Sequence, residues 1–214
     1  RIYVRNKGEQ IMKKIFATKN LVLMAIFSAL AAVLMLLEFP LPFIAPSFYE
    51  IDLSEIPVLI GSFIMGPVAG VIIEAVKILL TLLIRGTDTA YVGELANFII
   101  GCCFIVPAGV IYKKNKTKKS ALIGIATGTM LMAVAGVVIN YAILIPFYVK
   151  AFGMPLDLIL DMGAKINPLI SNKWTFVLIC VAPFNIVKGI IDSLITALVY
   201  KRISTFIKGI GNKK

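Results

Sequence analysis

The chain has 214 residues, 59% hydrophobic and 15% charged, with a formal net charge of +11. Soluble domains carry roughly a quarter charged residues, so the composition excludes an ordinary soluble globule and points to one membrane domain of transmembrane helices. Histidine is absent, which removes His-based acid–base chemistry, and neither a P-loop nor a Gly-x-Ser-x-Gly elbow occurs.

Residues 1–19 form a basic N-terminal segment. They lack the apolar core of a signal peptide. Met12-Lys13-Lys14 reads as a natural start, so residues 1–11 read as either a remnant or an upstream extension. The membrane domain is expected over 20–200 and a basic tail over 201–214. Span one covers 20–37 and ends at Glu38, where three prolines within 40–46 stop the helix. Span two covers 53–65, opened by Asp52 and Ser54 as N-cap residues. It is short for a crossing and is expected to be tilted or shielded. Gly66-Pro67 turns the chain into span three, 68–84. A polar link over 85–89 precedes span four, 91–112, and a lysine-rich link precedes span five, 121–145. A long connection over 146–175 leads to span six, 176–200.

Three basic clusters hold 16 of the 22 Lys and Arg residues: residues 1–19, the Lys113–Lys119 link and the segment after Tyr200. With six spans, all three fall on the side of both termini. The positive-inside rule makes that side cytoplasmic, and it accounts for the positive charge without nucleic-acid binding. The fold class is therefore an all-α bundle of six transmembrane helices with both termini cytoplasmic, a multi-pass protein of the cell membrane.

Polar residues inside apolar spans need partners or a task. Glu74 and Lys77 are i, i+3 and read either as an intrahelical pair or as part of a site. Lys188 is open to the same choice with Asp192 at i, i+4. Asn185 shares its face, and Pro183 disturbs the helix nearby. Glu94 and Asn97 in span four, Asn140 in span five, and Asn185 and Lys188 in span six lie at a similar outer depth. Their convergence predicts one outward-facing pocket with apolar walls and a few polar anchors. The loop 39–49 is expected to cover it. Leu41, Phe43 and Tyr49 are the candidate contacts there, with Phe39 and Phe48 completing an aromatic set suited to stacking on a flat ligand. The competing reading of these aromatics is an interfacial belt. Ala25, Ser28, Ala29 and Ala32 form small-xxx-small stripes, either for packing within the bundle or for docking a membrane partner. Cys102, Cys103 and Cys180 have no metal-ligand spacing, and no metal is expected. Ser193 and Lys188 lie on different helix faces, so a Ser–Lys nucleophile is not assembled and no catalytic residue is expected.

The strings Glu38-Phe39-Pro40-Leu41-Pro42-Phe43, Asp52-Leu53-Ser54-Glu55-Ile56-Pro57, Gly66-Pro67-Val68-Ala69-Gly70 and Gly93-Glu94-Leu95-Ala96-Asn97-Phe98 resemble the substrate-binding S component of energy-coupling factor (ECF) transporters. The likeness is to the riboflavin-specific branch and runs from Asn20 through Lys201. It implies a six-helix bundle that binds riboflavin from outside as transported ligand, not as cofactor. It implies assembly with a membrane-embedded coupling subunit and two cytoplasmic ATPases, which topple the S component to carry the vitamin inward. It maps flavin binding onto Glu94, Asn140, Asn185 and Lys188, and partner docking onto Ala25, Ser28, Ala29 and Ala32. Another vitamin, such as thiamine or biotin, and a stand-alone secondary carrier or channel are the competing readings. The absence of visible repeats weighs against the carrier.

Overall fold

A computed structural model describes residues 16–211, with side chains through residue 200. The basic segment before Phe16, the extension ending at Ile11 and the side chains of the basic tail lie outside the described residues. Among the described residues, five helical segments are long and apolar enough to cross a membrane: Thr18–Met35, Pro67–Arg85, Val92–Lys114, Lys118–Ala151 and Lys173–Tyr200. Helix α1 is Thr18–Met35, α2 Glu55–Met65, α3 Pro67–Arg85 and α4 Val92–Lys114. Helix α5, Lys118–Ile139, passes through a π-helical turn, Asn140–Leu144, into α6, Ile145–Ala151. Helix α7 is Leu156–Ala164; the short α8, Lys173–Phe176, passes through a second π-helical turn, Val177–Val181, into α9, Ala182–Gly211.

Span two is short and shielded as expected, and two other expectations change. Span two is the 11-residue α2, whose rise of about 16 Å cannot cross a bilayer alone; its residues from Glu55 to Phe63 are buried by neighbouring helices. Residues 146–175 are not a loop: α6 extends span five to Ala151, α7 occupies the middle, and span six begins at Lys173. Asn172 explains that earlier start, since it caps α8 in a reciprocal box with Thr175. Finally, the covering loop is pinned by a small antiparallel ladder between β1, Phe39–Pro40, at its start and β2, Glu50–Ile51, at its far end, pairing Phe39 with Ile51. Among the described residues, the remaining regular structure is helical.

The two π-helical turns have a shared local cause. Pro146 and Pro183 each stand two residues beyond one. A proline ring clashes with the carbonyl four residues back and offers no N–H, and a widened turn relieves both problems. At the other end of the bundle, Gly66 adopts φ +105° and Pro67 opens α3 directly behind it. The Gly66 turn lies beside the Lys113 side chain, and Tyr112 and Tyr200 share a 2.8 Å hydrogen bond. This is the lysine-rich end.

Glycines bring α4 and α5 into close contact. A Cβ at Gly124 would stand 2.8 Å from the Ala108 carbonyl oxygen, the small-residue approach on which membrane helices depend. One apolar core, including Phe27, Leu59, Ile73 and Phe104, fills the lysine-rich half. A second, including Ile51, Ile145, Phe176 and Cys180, lies under the hairpin. Buried charge and a cavity separate them.

Candidate functional site

The buried charge begins on α3. Lys77 is fully buried and reaches Glu74 at 2.7 Å and Glu55 of α2 at 2.9 Å. The expected Glu74–Lys77 pair therefore exists, with a second carboxylate added from another helix. Lys77 also donates to the Ser54 hydroxyl at 3.1 Å. Gly101 of α4 closes over this group, since a Cβ there would stand 2.6 Å from a Glu74 carboxylate oxygen.

Lys188 does not take Asp192 as its hydrogen-bonded partner. Its Nζ donates to Asp52 Oδ2 at 2.6 Å, across 136 residues of sequence. Nor does Asp52 act as the N-cap of α2: it precedes Ser54, the residue that flanks the helix, and its Oδ1 accepts from the Ser54 amide at 2.8 Å. Burial alone would raise the Asp52 carboxyl; the ammonium groups of Lys188 and Lys77 outweigh it and hold the group at about 2.

Above this pair is a cavity of about 650 Å³, within the size range of small-molecule sites. Five of the expected polar residues line it: Glu94 and Asn97 from α4, Asn140 from the first π-helical turn, and Asn185 and Lys188 from α9. Asn140, Asn185 and Lys188 are 3%, 6% and 6% exposed. Asn140 donates to the Gly136 carbonyl at 2.8 Å and accepts from the Tyr49 hydroxyl at 2.6 Å. Burial raises the Tyr49 phenol above its ordinary value, so the group remains a neutral donor. Asn185 donates to the Val181 carbonyl at 2.9 Å. Val181 is the last residue of the second π-helical turn, so each widened turn has an asparagine amide tied to the backbone in or beside it. Gly136 makes room for Asn185: a Cβ there would stand 2.5 Å from Asn185 Nδ2.

Glu94 is positioned by the link before α4. Thr89 donates to its carboxylate at 2.6 Å, and the Thr87 and Thr89 hydroxyls accept from the amides of Tyr91 and Gly93. These bonds hold Ala90 and Tyr91 at φ +50° and +68°, a costly conformation for residues with side chains, of the kind that clusters at functional sites. Arg85 stands at the cavity rim, ion-paired with Glu38 and 4.0 Å from Asp88.

The covering segment is divided. Tyr49 and Phe48 line the cavity, with ring centroids 4.8 Å apart, and Phe184 lies 5.5 Å from Tyr49. Leu41 packs against the apolar core beneath the hairpin, and Phe43 is 72% exposed; neither lines the cavity. Tyr148 and Phe152 of the 146–175 region do line it, and these the sequence did not single out. On α1 the small residues also divide. Ala25 and Ala29 are exposed, whereas Ser28 and Ala32 are buried, Ser28 donating to the Ile73 carbonyl. Ser28 and Ala32 therefore pack inside the bundle and offer no docking surface.

An apolar helix bundle holding a cavity anchored by amides and an ammonium group is the architecture of a membrane protein that receives a small polar molecule. The chain matches the family model "ECF transporter, substrate-specific component" over residues 19–200, and it belongs to that family. It is 34% identical over 192 residues to the riboflavin transporter RibU of Staphylococcus aureus (strain TCH60), covering 90% of this chain and 94% of that one. It is 33% identical over 191 residues to the riboflavin transporter FmnP of Bacillus subtilis (strain 168), covering 89% and 94%. The fold resembles a solved S component of a bacterial ECF transporter with TM-score 0.69 at 34% identity, covering 89% of this chain and 98% of that one.

Proposed function

We propose that this chain captures riboflavin in the cavity between α4, α5 and α9 and hands it inward as the substrate-binding subunit of an ECF transporter. The observation that carries the reading is the unused hydrogen-bonding capacity of the buried anchors. Asn140 keeps one amide hydrogen and one acceptor lone pair, Asn185 one amide hydrogen and its carbonyl oxygen, and Lys188 two ammonium hydrogens. The isoalloxazine edge alternates carbonyl oxygens with a ring N–H, so it needs this mixture of donors and acceptors. Phe48, Tyr49 and Phe184 supply faces on which its flat ring stacks. Glu94 accepts from ribityl hydroxyls. The relatives named as riboflavin transporters favour this vitamin over thiamine or biotin.

In the membrane, α2 together with the turns that flank it makes the sixth, short span, shielded by its neighbours, and the cavity opens to the outside. The lysine-rich end and both termini lie in the cytoplasm. Ala25 and Ala29 present the face of α1 that meets the membrane-embedded coupling subunit, beneath which two ATPases supply the energy. The chain itself carries out no covalent chemistry. Titrating the purified chain with riboflavin tests the reading: flavin fluorescence falls to a one-to-one end point, and excess thiamine or biotin does not reverse the quenching. Unquenched flavin overturns it. Uptake into vesicles by this chain alone, without the partner subunits, would favour a stand-alone carrier instead.

A further inference from the structure

Two residues of one short segment hold two of the cavity's anchors. Tyr49 donates to Asn140 at 2.6 Å, and Asp52, three residues later, accepts from Lys188 at 2.6 Å. Between them β2 ties the segment to β1. Asp52 is itself fixed, because its second oxygen accepts from the Ser54 amide at 2.8 Å. The same segment thus reaches helices 91 and 136 residues away in sequence.

We propose that Asp52 and Tyr49 are positioning residues for ligand binding: Asp52 aims the Lys188 ammonium group into the cavity, and Tyr49 sets the plane of the Asn140 amide. The inference rests on the riboflavin reading and assigns the origin of the site's geometry. Lys188 has a rival carboxylate. Asp192 lies one helical turn away at i, i+4, and neither of its buried oxygens has a hydrogen-bond partner among the described residues. An ammonium group on a flexible four-carbon stem can swing between the two acids. Toward Asp52 it stands at the cavity wall; toward Asp192 it withdraws down α9. Asp52 therefore decides whether the site presents its cation. For Asn140, the Tyr49 hydroxyl occupies the carbonyl oxygen and Gly136 the amide. These bonds fix which atom of Asn140 faces which direction, and so the pattern offered to the ligand edge. Anchors held this way by neighbouring groups arrive at the ligand already ordered.

The test is a double-mutant cycle on the full chain, read by riboflavin fluorescence quenching. Asp52→Asn is expected to weaken binding about tenfold or more, the scale of one charge-assisted hydrogen bond. In a Lys188→Met background the same substitution is expected to cost nothing further, because its effect passes through the lysine. A purely structural role for Asp52 would instead give the same loss in both backgrounds, and that result overturns the proposal, as does wild-type affinity in Asp52→Asn. Tyr49→Phe keeps the ring and its packing, so it serves where the charge variants do not fold. It is expected to lose about threefold to tenfold in affinity in the wild type and nothing further in Asn140→Ala; equal losses in both backgrounds overturn the proposal. Failure of the wild-type chain to bind riboflavin sinks the functional reading as well. Normal wild-type binding with additive variants sinks the positioning roles alone.

Discussion

One added methyl group at Gly136 probes the cavity without replacing any polar side chain. The Cβ of Gly136→Ala would stand 2.5 Å from Asn185 Nδ2 and 3.0 Å from its Cγ. Ordinary contact begins near about 3.4 Å, so the amide must retreat by roughly 0.9 Å. Asn185 holds its present place through a 2.9 Å bond to Val181, and moving it misaligns both that bond and whatever it offers the ligand. Losing one or two neutral hydrogen bonds costs about 1–3 kcal/mol, roughly a 5- to 150-fold loss of affinity. Gly124→Ala is the control. It lies on the same helix and overpacks a similar contact, 2.8 Å from the Ala108 carbonyl, but away from the cavity lining. Both variants are expected to lose about 1–3 kcal/mol of stability. Only Gly136→Ala should lose flavin affinity, measured by fluorescence titration of detergent-solubilised protein. Wild-type affinity in Gly136→Ala, or an equal loss in Gly124→Ala, would refute the placement of Asn185 at the site.

Three further outcomes follow from the same geometry. Lys77→Met leaves Glu55 and Glu74 buried without their cation and should cost about 3–5 kcal/mol; an unchanged thermal midpoint would contradict the buried triad. Ala29→Leu should retain flavin binding and lose co-purification with the coupling subunit, whereas Ala32→Leu, at a position 2% exposed, should destabilise the chain itself; identical behaviour of the two would refute the division of α1 into an inner and an outer stripe. The Asp52 carboxyl is held at about 2 against an ordinary value near ~3.9. A lowered folded value stabilises fully above about pH 4 and is lost as pH falls through about 2. Flavin affinity should therefore be level between pH 5 and 8 as far as this pair is concerned, and a titration showing a steep fall within that range would contradict it.

The helices and the cavity anchors were legible because hydrocarbon is an unforgiving solvent. A lysine or asparagine inside an apolar run must face protein, and this requirement brought Glu94, Asn97, Asn140, Asn185 and Lys188 to one cavity. The partner of Lys188 was not legible. Asp192, four residues away, satisfies every local rule, yet Asp52 holds the ammonium, because the hairpin returns the chain to α9. Local patterns describe neighbours on one helix and are silent about a return of 136 residues. A buried lysine does demand a carboxylate, but the position of Asp52 at the mouth of an apolar helix reads as a cap. Aromatic composition could not separate Phe43, which is exposed, from Phe48 and Tyr49, which line the cavity. The helices within 146–175 were hidden by prolines and by Asp157 and Asp161, which read as loop until the capping by Asn172 is seen.

The paired π-helical turns at Asn140–Leu144 and Val177–Val181 carry a consequence for how this chain tolerates change in length. Each wide turn holds one residue more than an α-helical turn would, and one residue rotates everything beyond it by about 100° around the helix axis. Deleting a residue between Asn140 and Pro146 would swing α6, with Tyr148, out of phase with Asn140. A deletion between Val177 and Pro183 would do the same to Asn185 and Lys188 relative to α8. Insertions and deletions in these stretches would turn the anchors away from one another, so both intervals are expected to keep a fixed residue count wherever the cavity is preserved.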